Sequence, residues 1–293
     1  MHQHVFGESE LIINEHGTIY HLDLAPEQLA DTVVTVGDPG RVQEVSKYFD
    51  RIEHKAQHRE FITHTGYVGK KRISIVSTGI GPDNIDIVLS ELDALANIDF
   101  SARMLKAQKR SLNIIRLGTC GSLQADVPIG SLIASSYGIG LDNLLHYYRF
   151  QNNPEEAFLL QAFQQHTRLS GAPIAPYIAQ SAIGLRKHFT KGFIHGITVT
   201  CPGFYGPQGR ALRAPLAYPN LPDALSSFNS HNERILNFEM ETSAIYGLGK
   251  ILGHQCLSLN VAITNRFQKT FNYDKAAAID NMIKNALEVI ASI

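Results

Sequence analysis

The sequence predicts a mixed α/β layer fold in which helices cover a largely buried sheet. Two observations carry this expectation. Apolar runs rich in β-branched residues alternate along the chain with segments of helical period, and most of the strand-like runs end in a glycine-rich or polar turn. Sheets of this class usually hold their ligands at such strand ends.

Taken in order, TVVTVGD (32–38) reads as a buried strand, and VQEVSKYF just after it has helical spacing. HREFITHTG (58–66) and RISIVSTGIG (72–81) read as further strands, followed by the helix-period segment IDIVLSELDALANI. NIIRLGT and SLIASSYGI form the next strand-like runs, PEEAFLLQAFQQH a helix and FIHGITVT a strand. METSAIYGLGKILG, CLSLNVAIT and AAAIDNMIKNALEVIASI complete the alternation as helix, strand and helix. No Pro/Gly/Ser linker, charge block or internal repeat divides the 293 residues, so one domain is expected. The least patterned stretch, roughly 152–191, holds one helix and a Gly171-Ala172-Pro173-Ile174-Ala175-Pro176 turn, and is expected as an insertion near the mouth of the site.

Composition excludes several classes of function. A net charge of −1 gives no bulk attraction to nucleic acid or to an anionic membrane, so any basic site must be local. No apolar stretch is long enough to span a bilayer, and the start MHQHVFGESE lacks the basic segment and apolar core of a signal peptide. A cytoplasmic location is the expectation. Cys120, Cys201 and Cys256 are odd in number and far apart, which suits reduced, mostly buried thiols rather than disulfides or a zinc site. His2 with His4, and His54 with His58, are close enough to suggest metal, the second pair at the spacing of one helix face. Neither has acidic partners or a HExxH context, so solvated or core histidines are expected.

Four polar motifs follow strand-like runs. Gly37-Asp38-Pro39-Gly40-Arg41 offers backbone N–H groups and a guanidinium to an anion; alone, it reads first as a strand-to-helix turn with a surface arginine. Arg59 lies in HREFITHTG, where an exposed strand arginine is the plain alternative. Arg116 sits among apolar residues, and a buried guanidinium requires an anionic partner, either an internal carboxylate or a phosphate. Gly118 and Thr119 then add donors at the strand end. Glu239-Met240-Glu241 suits a sugar, since carboxylates accept from hydroxyls while a thioether packs on the ring, although a helix N-terminus also favours acids. In extended chain, neighbouring residues of this triplet would point to opposite sides unless the backbone bends. A further cluster, Phe204 to Arg210, contains Gln208, which offers both a donor and an acceptor to the imide edge of a pyrimidine, and Arg210 for a carbonyl oxygen. Its plain alternative is a solvated loop with an aromatic anchor. No GxxxxGK[ST] or GxGxxG run occurs.

Together these residues, from about His21 to Phe267, resemble the nucleoside phosphorylase family that contains uridine phosphorylase and the hexameric purine nucleoside phosphorylases. The resemblance implies a three-layer α/β/α fold with a mixed, partly barrel-like central sheet. It assigns Gly37, Arg41, Arg116 and Thr119 to phosphate, with Arg59 reaching the phosphate of a neighbouring subunit. Glu239, Met240 and Glu241 match the ribose-binding positions, and His21 the histidine that the neighbour offers to the ribose 5′-hydroxyl. Cys120, Gly121, Phe204, Gln208, Arg210 and Arg266 match positions around the base, with Arg116, Gln208 and Arg210 in catalytic roles. Gln208 with Arg210, and Asn265-Arg266, look like the uridine branch. Cys120 stands where uridine phosphorylases usually have Thr or Ser, and Thr119-Cys120-Gly121 is partly similar to the Ser-Cys-Gly of purine enzymes. Glu60 and Ile80 match a monovalent-cation site at the dimer interface, where Asn84 replaces a serine. The implied activity is reversible phosphorolysis of uridine to uracil and ribose 1-phosphate, with phosphate as co-substrate and no organic cofactor. The implied assembly is a homodimer with shared sites, or a hexamer built as a trimer of dimers. The alternatives are a purine nucleoside phosphorylase, a hydrolytic nucleosidase, and a non-catalytic nucleoside-binding protein on the same scaffold.

Overall fold

The computed structural model describes residues 4–272 and 274–293; His2 lies outside them. The first apolar run forms β1 (Thr32–Val36), buried throughout. Asp38 ends it and caps α1 (Pro39–Ser46), its carboxylate accepting from the Gly40 N–H, while Pro39 occupies the first turn, where a missing N–H costs nothing. Next comes an antiparallel hairpin of β2 (Arg51–His58) and β3 (Phe61–Val68), with His58 opposite Phe61. The chain reverses at Arg59, which takes a left-handed φ of 53°, and Glu60. This corrects the reading of HREFITHTG as one strand, and it puts His54 and His58 on a strand rather than a helix face.

β4 (Lys71–Ser77) leads into α2 (Pro82–Asn97), and a short pair, β5 (Ile98–Asp99) with β6 (Met104–Leu105), precedes β7 (Asn113–Ser122) and β8 (Leu132–Gly140). A reciprocal cap between Asn153 and Glu156 starts α3 (Pro154–Thr167), followed by β9 (Tyr177–Gln180), α4 (Ile183–Arg186) and β10 (Phe193–Thr200). The remaining elements are α5 (Leu221–Ser227), β11 (Asn229–Ser230), β12 (Glu233–Glu239), α6 (Thr242–Leu252), β13 (Gln255–Asn265), β14 (Thr270–Phe271) and α7 (Lys275–Ser292).

Among the described residues the main sheet runs β11-β12-β10-β8-β13-β7-β1-β4-β3-β2. An additional antiparallel contact between β12 and β7, Asn237 opposite Ser122 and Phe238 opposite Gly121, closes β12, β10, β8, β13 and β7 into a barrel. From β7 the sheet continues as an open wing through β1, β4, β3 and β2. The two-residue period of the strands separates two helical layers. Val33 and Ile114 pack in one cluster with Leu89 and Leu92 of α2 and Ile245 of α6. Val34, Ile115 and Leu257 pack in the other with Val42 of α1 and Ile283 of α7. The 152–191 stretch is anchored to the core by one face: Leu159 and Phe163 of α3 join Tyr137, Val199 and Phe228 in a third cluster. Among the described residues no helix is long and apolar enough to cross a membrane.

Candidate active site

The strand ends beyond β1, β4, β7, β12 and β13 surround a cavity of about 640 Å³. At one end the turns after β1 and β4 pack backbone to backbone, so closely that a Cβ on Gly37 would sit 3.4 Å from the Gly79 carbonyl. Arg41, on the first turn of α1, faces this cavity and is buried. Its Nε has no hydrogen-bond partner, and Glu44 lies 3.9 Å away, beyond hydrogen-bond reach. Burial pulls the Arg41 pKa below its ordinary value; Asp38 and Glu44 oppose that, and the positive Arg116 adds to it.

Arg116 projects from β7 into the same space. One Nη donates to Asn260 Oδ1 at 2.7 Å, and the other binds Glu241 and lies 3.3 Å from Glu239. Burial alone would lower its pKa, but the two carboxylates outweigh burial and hold it above the ordinary value. Both alternatives weighed for this residue therefore meet in one place. Arg116 has internal carboxylate partners, and it also lines the cavity with Arg41 and Thr119. A guanidinium has five N–H donors, so some remain for an anion.

The Glu-Met-Glu triplet sits where β12 passes into α6, and the chain bends at Met240 and Glu241 so that all three residues reach the cavity. Glu239 accepts from the N–H groups of Glu241 and Thr242 and from Thr200, as an acid at a helix start does. Glu241 accepts from the Gly81 N–H at 2.9 Å. Burial raises the Glu241 pKa; Arg116 works against this and Glu239 adds to it.

At the far end, Arg210 Nη1 donates to Gln208 Oε1 at 2.6 Å and to the Phe204 carbonyl, and its guanidinium stacks 3.8 Å above the Phe204 ring. Gln208 is buried, so the contact is held inside the fold. Burial, then the nearby Arg266, bring the Arg210 pKa down to about 10. Cys120 and Gly121 complete this wall, and burial pushes the Cys120 thiol far above its usual range. Cys120, Cys201 and Cys256 are all free and buried.

Three expected site residues do not line this chain's own cavity. Arg266 stands behind Phe238, its guanidinium 5.6 Å from that ring, and Asn265 braces the loop by donating to the Gln124 and Val127 carbonyls. His21 binds Glu91 through Nδ1 at 2.7 Å. Arg59 is exposed, and both it and His21 flank Tyr20. At the expected cation position, Glu60 and Ile80 line the cavity, but Asn84 donates its amide to Glu60 at 3.3 Å. Among the described residues no group of three or more His, Cys, Asp or Glu could hold a metal. None of the residues between Gly121 and Phe204 lines the cavity, so the 152–191 stretch touches it only indirectly, Ile174 lying with Pro207 and Leu216 beneath the Gln208 loop. Sequence reading missed Phe238, Ile263, Thr264 and Phe271 on the apolar wall, and Asn260 behind Arg116. Phe238 directly precedes the triplet, at the end of β12, and that adjacency is the one signal the sequence offers for it.

The family model described as Phosphorylase superfamily matches residues 31–293. This chain belongs to that superfamily. A uridine phosphorylase of Thermococcus kodakarensis is 30% identical over 95% of this chain and 90% of its own length. One from Haemophilus influenzae is 27% identical over 86% and 88%. Among solved structures, a Trypanosoma brucei nucleoside phosphorylase described as showing uridine phosphorylase activity superposes with a TM-score of 0.89 at 32% identity, covering 97% of this chain and all of the other. The superfamily fold thus accounts for the closed barrel and the two helical layers.

Proposed function

We propose that this phosphorylase-superfamily protein catalyses the reversible phosphorolysis of uridine, giving uracil and ribose 1-phosphate. One observation carries the reading: buried Arg41 and Arg116 at one end of a single cavity, Glu239-Met240-Glu241 in the middle and the Gln208–Arg210 pair at the far end. That order matches phosphate, ribose and base, and the likeness to uridine phosphorylases supports it.

Phosphate between Arg41 and Arg116 attacks C1′ as the N-glycosidic bond breaks through an oxocarbenium-like sugar. The phosphate dianion is both nucleophile and electrostatic partner, so the protein's contribution is positioning and charge placement. Glu241 and Glu239 accept from ribose hydroxyls while Met240 packs on the ring. The Arg210 guanidinium and the free N–H of the Gln208 amide stabilise the negative charge that develops on departing uracil. No organic cofactor enters this scheme. His21 and Arg59 would act across a two-fold interface, completing the ribose and phosphate ends of a second subunit's cavity. Their grouping around Tyr20, away from their own cavity, supports that role.

Base release from uridine, measured with and without phosphate, tests the reading. Cleavage should require phosphate, and Arg116→Ala should lower kcat/KM roughly tenfold to a hundredfold, the weight of charge-assisted contacts to a desolvated anion. Equal rates in phosphate-free buffer would exclude phosphorolysis, and a preference for inosine would transfer the protein to purine substrates.

A further inference from the structure

The Arg116 guanidinium, at the anion end of the site, is held by a side chain that does not line the cavity. Asn260 lies on β13 beside Gly118 of β7, and it is fully buried. Its amide is oriented from behind: Nδ2 donates to Ser258 Oγ at 3.1 Å and Ser135 Oγ at 3.4 Å. The carbonyl Oδ1 therefore points at Arg116, whose Nη1 donates to it at 2.7 Å. Glu241 and Glu239 hold the opposite Nη, so the guanidinium is fixed at two corners. The neutral corner differs in kind from the charged one. A third carboxylate there would further neutralise Arg116 and weaken its pull on an anion, whereas a neutral carbonyl fixes the group and leaves its charge available.

We propose that Asn260 is a positioning residue that sets Arg116 for the anionic co-substrate. The inference rests on the phosphorolysis reading above. Loss of the amide should act selectively. Glu241 keeps its bond from the Gly81 N–H, and Glu239 keeps those from Glu241, Thr242 and Thr200, so the sugar end stays in place while Arg116 loosens. The amide's two acceptors also keep partners, Ser258 with Thr242 and Ser135 with Thr198.

Wild-type protein is first assayed for phosphate dependence. If uridine cleavage needs no phosphate, the phosphorolysis reading fails and this inference falls with it. If phosphate is required, phosphate and uridine KM are measured separately, each at a saturating level of the other, for Asn260→Ala and Asn260→Asp. Asn260→Ala should raise the phosphate KM about tenfold and leave the uridine KM within about twofold. Asn260→Asp, with nearly the same shape but a negative charge, should raise the phosphate KM further. If Asn260→Ala is insoluble, the Asp variant decides alone. An unchanged phosphate KM, or equal rises in both KM values, would reduce Asn260 to core packing and overturn the proposal while leaving phosphorolysis intact.

Discussion

A Cβ added to Gly118 would overlap Arg116 Nη1 and come within 2.7 Å of Asn260 Oδ1. The bare backbone at this position is what lets the guanidinium lie across β7 and reach β13. Gly118→Ala should therefore expel the guanidinium from its place and lower kcat/KM by about a hundredfold, while circular dichroism stays native; near wild-type activity would mean that Arg116 can work from elsewhere. How much of the site could be read from the chain follows the same line. The burial of Arg116 is legible, because its neighbours are apolar and a buried cation demands a partner. The identity of that partner is not, because Glu241 and Asn260 stand 125 and 144 residues away. Arg41 is legible only as one of two readings; its orphaned Nε becomes visible once α1 is packed on the sheet.

Secondary elements divide by burial. Strands that run through the core, such as β1 and β8, are buried at every position and rich in apolar or small residues, whereas β2 has no buried position along RIEHKAQH and gives no comparable signal. The turn at Arg59 escaped for a related reason, since it contains neither Gly nor Asn. Helices α2, α3, α6 and α7 follow their apolar period closely. Docking of α7 on α1 adds a polar fastening: Asp280 accepts from Lys47 at 2.7 Å and Tyr48 at 2.6 Å, and Lys284 lies 2.8 Å away. Hydrogen bonds from Lys284, then Lys47 and Tyr48, hold its carboxyl well below the ordinary value of 3.8. A depressed carboxyl stabilises the fold above its unfolded pKa and loses that contribution as pH falls through the folded one. Asp280→Asn should thus lower the urea midpoint at pH 7, with the gap to wild type closing as pH falls from about 4 toward 2. A gap that persists undiminished in acid would assign the effect to packing.

At the scale of the whole molecule, the α/β class and its layered arrangement were readable from alternating periods. Barrel closure was not readable that way, because the β12–β7 contact joins two strands remote in sequence by a pair of residues each; only resemblance pointed to it. Assembly is the other whole-molecule question. If His21 and Arg59 serve a second subunit, Arg59→Ala and Arg116→Ala should each be impaired, yet co-assembled they should regain part of the lost activity. One of the two shared sites in a mixed dimer would then hold both arginines and the other neither. Full activity in a strictly monomeric protein, or no recovery in verified mixed dimers, would return Arg59 to an ordinary surface role.

The long-range ties of Arg116 also bear on how the protein comes into being. Its partners arrive from after β12 and from β13, so a chain emerging from the ribosome has no anion-binding end until nearly all of it has been made. Pairings of such high sequence separation form late and slowly. The nucleoside and phosphate therefore cannot guide early folding. They stabilise only the finished molecule, by mass action, and so protect mature enzyme from unfolding without rescuing a nascent chain that stalls.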